Sequence, residues 1–268
     1  MNVYLVSDIE GSCGFTIAEE GERGTPNYPY FARQMALEAA AAARGAHAAG
    51  VKRILVHDAH ATARNIDPTL LPEYVELMRR SGPDPYAMVS GLQNGGFDAL
   101  FMTGFHAWAG SAGNPSSHTF NHRTVFLRLN EYPLSEFLFN AYSAASLGVP
   151  TPFVSGDDTI CRFAERLIPD ITTVTTLTGV GPGSVSRHPQ AVLREIEQAA
   201  ERALDGNYRR CIPPLPKHFR FVVRFFDPIL AGFNSYYPGM QRIDDCTLAY
   251  ETDEWYDILL MVHFVLDK

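Results

Sequence analysis

The chain reads as an α/β protein: a mostly parallel central sheet flanked by helices, followed by a smaller C-terminal α+β part. Two observations carry this reading. Short apolar runs recur through the first 170 residues at Val3-Tyr4-Leu5-Val6, Arg53-Ile54-Leu55-Val56, Leu100-Phe101-Met102-Thr103 and Pro152-Phe153-Val154. Helical patterns alternate with them, which is how βαβ units in a sheet covered on both faces look in sequence. After Thr172 the alternation gives way to a mixed pattern of β-prone runs and two helices.

Taken in order, Val3 to Val6 is the first expected strand, ending at Ser7 and Asp8. Tyr28 to Ala48 is an Ala-rich helix stopped by Gly50. Arg53 to Val56 and Leu100 to Thr103 are the next strands, the latter closed by Gly104. Thr124 to Leu129 resembles an extra strand turned at Asn130-Glu131, and Pro133 leads into a helix from about Ser135 to Ser146. The strand Pro152 to Val154 runs into Ser155-Gly156-Asp157-Asp158, whose carboxylates are expected to cap the helix that follows. Thr172 to Thr178 is β-prone. Gly179-Val180-Gly181-Pro182-Gly183 lacks the Lys-Ser/Thr of a phosphate-binding loop and is read as a plain loop. Pro189 opens an amphipathic helix reaching about Leu204. Phe219 to Phe226 and Thr247 to Glu251 are strands, and Glu254 to Leu266 is the last helix. The division expected is a main α/β part over residues 1–170 and a smaller α+β part over 171–268 packed on it.

At 268 residues the chain can bury a sizeable core. Its 46% hydrophobic and 19% charged residues are an ordinary globular balance. A formal charge of −8 and the lack of any Lys/Arg run argue against a nucleic-acid partner and fit a small-molecule or peptide substrate. No run approaches the roughly 18 apolar residues of a membrane helix, and the N-terminal MNVYLVSDIEG lacks the basic start of a signal peptide. Cys13, Cys161, Cys211 and Cys246 form no CxxC pair, which fits reduced thiols in a cytoplasmic protein.

The residues that carry chemistry fall just past the expected strands, where open α/β sheets bind ligands. Asp8-Ile9-Glu10-Gly11 follows the first, His57-Asp58-Ala59-His60 the second and Gly104-Phe105-His106 the third, while Glu136 opens a helix. Side chains two apart on a strand end share a side, so Asp8 and Glu10 can act together. Singly, each has an ordinary reading: a solvated turn for the DxE, a helix cap for Asp58, a hydrogen-bonded core histidine for His106 and a first-turn helix residue for Glu136. Jointly, an Asp/Glu/His/His/Glu set suits two divalent ions, zinc above all, that activate water and polarise a carbonyl. His118 and His122 lie in the polar segment after His106. A histidine there serves as acid or base, or stabilises an oxyanion; the other reading, favoured for His122, is plain surface exposure.

The chain resembles the D-aminopeptidase family, the M55 peptidases. The matching stretches are Ser7-Asp8-Ile9-Glu10-Gly11, His57-Asp58-Ala59-His60, Gly104-Phe105-His106-Ala107, Ser117-His118-Thr119, Ser135-Glu136-Phe137-Leu138-Phe139-Asn140-Ala141 and Ser155-Gly156-Asp157-Asp158. The resemblance implies an aminopeptidase with two zinc ions per subunit, acting on short peptides with N-terminal D-amino acids. It also implies Asp8, Glu10, His60, His106 and Glu136 as the zinc ligands and His118 as the catalytic residue. A large ring-based homo-oligomer, such as a decamer, with the sites facing an enclosed space, is implied as well. In one respect the chain departs from the family pattern: Val174 to Ser186 holds no Lys or Arg, which bears on substrate choice. Other readings of the same residues are a metal-dependent amidase or esterase on this scaffold, and a non-catalytic metal-binding assembly protein.

Overall fold

A computed structural model describes residues 1–266. Its strands are β1 (Asn2–Ser7), β2 (Arg53–Asp58), β3 (Val75–Arg79), β4 (Ala99–Phe105), β5 (Thr124–Leu129), β6 (Tyr132–Pro133), β7 (Phe153–Asp157), β8 (Thr172–Val180), β9 (Gly183–Ser186), β10 (Phe219–Phe225), β11 (Gln241–Arg242) and β12 (Thr247–Thr252). Its α-helices are α1 (Tyr28–Ala48), α2 (Glu136–Ser146), α3 (Asp158–Leu167), α4 (Pro189–Arg202), α5 (Pro228–Asn234) and α6 (Trp255–Val265). Seven strands form one sheet in the order β3-β2-β1-β4-β7-β8-β9, parallel except for the β8–β9 hairpin. Five form a second, antiparallel sheet in the order β11-β12-β10-β5-β6.

The α/β class and the expected strands and helices are present. The expected division at residue 170 does not coincide with the layers. β8 pairs in parallel beside β7, with Phe153 opposite Thr172, so the main sheet runs on to Ser186. β5 and β6 instead pair with β10 in the second sheet. Pairing with another segment decides both memberships: β8 joins β7, about 20 residues back, and β5 joins β10, about 90 residues on. β3, whose VELMR is partly exposed at a sheet edge, is not among the expected strands, and most of the Gly179–Gly183 segment, expected as a loop, belongs to the β8–β9 hairpin.

The composition of α1 follows from its place. Ala39 to Ala43 and Ala46 are all fully buried, because α1 lies between the sheet and α4. A Cβ on Gly45 would stand 2.1 Å from the carbonyl oxygen of Glu197. Small residues let the two helix backbones approach, and Arg44 closes the contact on Glu197 at 2.8 Å. The other sheet face packs Tyr4, Val6, Leu100 and Met102 against Phe137, Phe139 and Tyr142 of α2, and Trp255 of α6 joins the same core.

One carboxylate inside this packing belongs to no expected site. Glu38 on α1 is fully buried. Its Oε1 accepts from the Cys13 amide and from Gln34 Nε2, both at 2.8 Å, and its Oε2 has no partner among the described residues. Burial pushes its pKa up to about 7, against the pull of those two donors. Folded chain therefore keeps this proton to higher pH than unfolded chain. The resulting destabilisation is absent below the ordinary glutamate value of 4.5, grows toward pH 7 and is complete above it. Its full size is about 3 kcal/mol. Glu38→Gln removes the ionisation: the variant is expected to gain stability over the parent as pH rises from 4.5 to 8, read as the difference in urea midpoint at the two pH values. An unchanged difference would refute a buried, titrating Glu38.

Candidate metal centre

β2, β1 and β4 lie side by side, so the residues after their carboxyl ends meet. Asp8 and Glu10 follow β1, His60 follows β2, and His106 follows β4. Glu136 enters from the first turn of α2, where Ser135 caps the helix by accepting the Leu138 amide at 3.1 Å. All five are buried, and His118 is half-buried.

The distances describe one cluster. His60 Nδ1 stands 3.1 Å from Asp8 Oδ1 and 3.2 Å from Glu10 Oε2. His106 Nε2 stands 3.7 Å from Asp8 Oδ2 and 3.6 Å from Glu136 Oε2. His118 Nε2 is 3.9 Å from both Glu10 Oε1 and Glu136 Oε1. The His106 and His118 rings stack at 4.4 Å, and exposed His122 stacks on the outer side of His118 at 4.2 Å. Two donor triplets emerge, Asp8/Glu10/His60 and His106/His118/Glu136, each with ligand-type atoms within 4.8 Å of one another.

Each imidazole has its far nitrogen on a backbone carbonyl: His60 Nε2 on Gly21 at 3.0 Å, His106 Nδ1 on Ala107 at 2.9 Å and His118 Nδ1 on Ser116 at 2.9 Å. An N–H donated there leaves the near nitrogen's lone pair aimed at the cluster, as in metal-ligating histidines. His106 Nε2 and Glu10 Oε2 are buried without a hydrogen-bond partner among the described residues, which fits groups made to receive a cation. Zinc accepts this mixture of carboxylate oxygen and imidazole nitrogen.

Electrostatics point the same way. Burial, then Glu10, raises the Asp8 carboxyl well above the usual range. Burial would raise Glu10 too, but His60, His118 and His106 hold it well below that range. Glu136 is brought down to about 2 against burial by His106 and His118. His60 and His106 are raised well above the ordinary value because the carboxylates outweigh burial. Burial, then His106, lowers His118, so it is neutral at pH 7. Protons on His60 and His106 offset the carboxylate charge without a cation, and a dication replaces them.

Supporting groups were partly misread from sequence. His57 is a core residue: its Nδ1 donates to the Met88 carbonyl at 2.6 Å and lies 2.8 Å from the Tyr4 hydroxyl. Asp58 caps no helix; it accepts the Ile66 amide at 2.7 Å and Asn65 Nδ2 at 2.8 Å, fixing the loop after His60. Asp157 caps α3 through the Ile160 amide at 2.7 Å and also accepts the Ala107 amide at 2.6 Å, beside His106. Asn114 Nδ2 donates to the Glu10 carbonyl at 3.0 Å. A cleft of about 690 Å³ opens over Asp8, Glu10, His60, His118 and Glu136. Arg64 and Arg80 line it too; both lie in irregular segments where no periodicity or motif marks them.

An α/β sheet with a buried nest of carboxylates and imidazoles at its carboxyl edge, beneath a cleft, is built as metal-dependent hydrolases are. The chain belongs to the D-aminopeptidase family of M55 peptidases, whose model matches residues 1–264. A D-aminopeptidase of Bacillus subtilis (strain 168) is 32% identical over 189 residues, which cover 69% of this chain and 66% of that protein, just under two thirds of its length. The fold is that of the solved Zn-dependent D-aminopeptidase DppA from Bacillus subtilis, described as a self-compartmentalizing protease. That match has a TM-score of 0.89 at 24% identity and covers 99% of this chain and 96% of the other.

Gly104 is the backbone position on which the cluster leans. It has φ +72°, and a Cβ there would lie 2.1 Å from the Asp8 carbonyl oxygen. Gly104→Ala is therefore expected to cost roughly 3 kcal/mol, combining left-handed strain with displacement of Asp8. Thermal denaturation measures the cost, and wild-type stability in the variant would show that the approach is not required.

Proposed function

We propose that the chain is a zinc-dependent aminopeptidase that hydrolyses short peptides with N-terminal D-amino acids. The observation that carries the reading is the pair of buried donor triplets sharing one cleft. Asp8, Glu10, His60, His106 and Glu136 are the proposed ligands. These residues would hold two zinc ions, which would supply an activated water and polarise the scissile carbonyl. His118 is the proposed proton carrier: neutral, with Nδ1 held by Ser116, it takes a proton at Nε2 and delivers it to the leaving amine. The substrate's free α-amine would be held at this floor by a metal or a neighbouring carboxylate, which is what an exopeptidase cutting at the amino end requires. The D preference rests on the family name and the Bacillus relative.

We further propose assembly into a ring-based homo-oligomer, a decamer in the family's manner. Support comes from the self-compartmentalizing description of the structural neighbour and from the apolar surface at α5. There Phe226, Ile229, Phe233 and Tyr236 are 67%, 67%, 75% and 89% exposed, more large apolar surface than a lone subunit commonly leaves in one place. No helix among the described residues is long and apolar enough to cross a membrane, and a cytoplasmic location is proposed from the four free cysteines.

Elemental analysis tests the centre first. About two zinc equivalents per chain are expected, with most of the metal lost in an Asp8→Ala/His60→Ala variant; no bound metal after zinc addition would overturn the proposal. Zinc-loaded protein is expected to release D-alanine from D-alanyl peptides. His118→Ala is expected to lower kcat by roughly 10²–10⁴-fold while keeping its zinc. Loss of zinc in that variant would instead make His118 a ligand.

A further inference from the structure

Among the described residues, six other than glycine have positive φ. Five of them, Ala61 (46°), Ala63 (50°), Arg80 (68°), Ala87 (50°) and Phe120 (61°), line the one cleft above the metal centre. The sixth, Asn130, sits in the turn between β5 and β6, where asparagine tolerates that conformation. Left-handed backbone costs a residue with a Cβ on the order of 1 kcal/mol. Its concentration on one rim marks a shape held by its surroundings, as at ligand-binding sites.

The bonds that hold this rim also place its charge. Asp58 pins the 65–66 backbone from below. The Arg80 amide donates to the Ala63 carbonyl at 3.0 Å, tying the segment after β3 to the loop after His60. Arg64 and Arg80 are thereby brought to the same rim. The carbonyl of Arg64 accepts from Arg23 Nη1 at 2.9 Å and Arg79 Nη2 at 3.3 Å. The guanidinium groups of Arg23 and Arg79 thus lie on the Arg64 backbone, beside a cleft lined by two arginines, Arg64 and Arg80, and by the rim acids Glu22 and Asp84. Arg64 and Arg80 are the Lys/Arg side chains that line it, and neither has an ion-pair partner among the described residues. Asp84, an acid on the same rim, is engaged elsewhere: it accepts from the Tyr86 amide at 3.0 Å and from the Ser90 hydroxyl at 2.5 Å.

We propose that Arg64 and Arg80 form a subsite for the free C-terminal carboxylate of a short peptide whose amino end lies at the metal ligands on the floor of the cleft. The proposal rests on the aminopeptidase reading and adds a requirement for a free carboxylate to it. A free short peptide is a zwitterion. An aminopeptidase cuts the first peptide bond at the metal ligands, so the carboxyl end points away from the floor and up the cleft, where guanidinium groups offer it paired, charge-assisted hydrogen bonds. Both ends are recognised at once only when the chain spans the distance from floor to rim, at about 3.3–3.6 Å per extended residue. The cleft volume is that of a small-ligand site. Peptides whose free carboxylate reaches this rim are the substrates selected, and their amides are disfavoured.

The test compares a peptide acid with its amide on zinc-loaded protein, in two readouts. In the first, calorimetric binding is measured for the hydrolysis-resistant ketomethylene isostere of D-alanyl-D-alanine and for its carboxamide. In the second, kcat/KM is measured for D-alanyl-D-alanine and D-alanyl-D-alaninamide. Wild type is expected to favour the acid by roughly 10–100-fold in both. In Arg64→Gln/Arg80→Gln the preference is expected to fall toward one, through KM rather than kcat, with the amide values little changed. Circular dichroism checks that the variant stays folded, as exposed positions allow. Equal binding of acid and amide by wild type overturns the subsite. So does an acid preference that survives in the folded double variant. Hydrolysis of both wild-type substrates at one rate, with the variant unchanged, overturns the subsite and leaves the aminopeptidase standing. Binding of neither isostere overturns the subsite, and failure to cleave either substrate counts against the aminopeptidase.

Discussion

The structure is organised around an electrostatic problem: three carboxylates, Asp8, Glu10 and Glu136, are buried within reach of one another. Like charges so placed repel strongly where water is excluded. Three imidazoles answer them, each held by a backbone carbonyl on its far side so that the other nitrogen faces the acids. Positive charge in the middle, as protons or as metal ions, makes the arrangement tenable. Much of the surrounding architecture keeps these six side chains from moving apart.

That architecture is a second ring of polar contacts carried by the sheet. Asp58 fixes the loop after His60, Asp157 fixes the backbone beside His106, and Asn114 fixes the carbonyl of Glu10. Gly104 lets the ends of β1 and β4 approach closely. None of these groups faces the proposed reaction, yet each sets the position of one that does. Precise placement of ligands by supporting contacts is what catalytic geometry demands. The packing underneath is correspondingly tight: α1 is rich in alanine because two layers press on it from opposite sides.

The cleft adds polarity of a second kind. Its floor is built of carboxylates and imidazoles, and its rim carries Arg64 and Arg80, which have no ion-pair partner among the described residues. The strained residues gather on that rim and the exposed aromatic residues at α5. Backbone strain is thus concentrated on the cleft rim, and a group of large exposed apolar side chains at α5.

Much of the centre was legible in the sequence. Asp8, Glu10, His60, His106 and Glu136 stand out because each follows an apolar strand or opens a helix, and those local patterns are written in residue order. His57 and Asp58 in the same motif were not separable from His60 by spacing; one turns into the core and the other under the loop, a choice made by packing. The sequence by itself determined the parallel α/β class, the helices and strands of the main layer, and the set of ligand-type side chains. Tertiary structure alone decided that β8 and β9 extend the main sheet, that β5 joins β10, and that Arg64 and Arg80 meet on one rim. Short-range periodicity encodes the first group. The second depends on hydrogen bonds and packing between segments far apart in the chain, which form only when the whole fold is assembled.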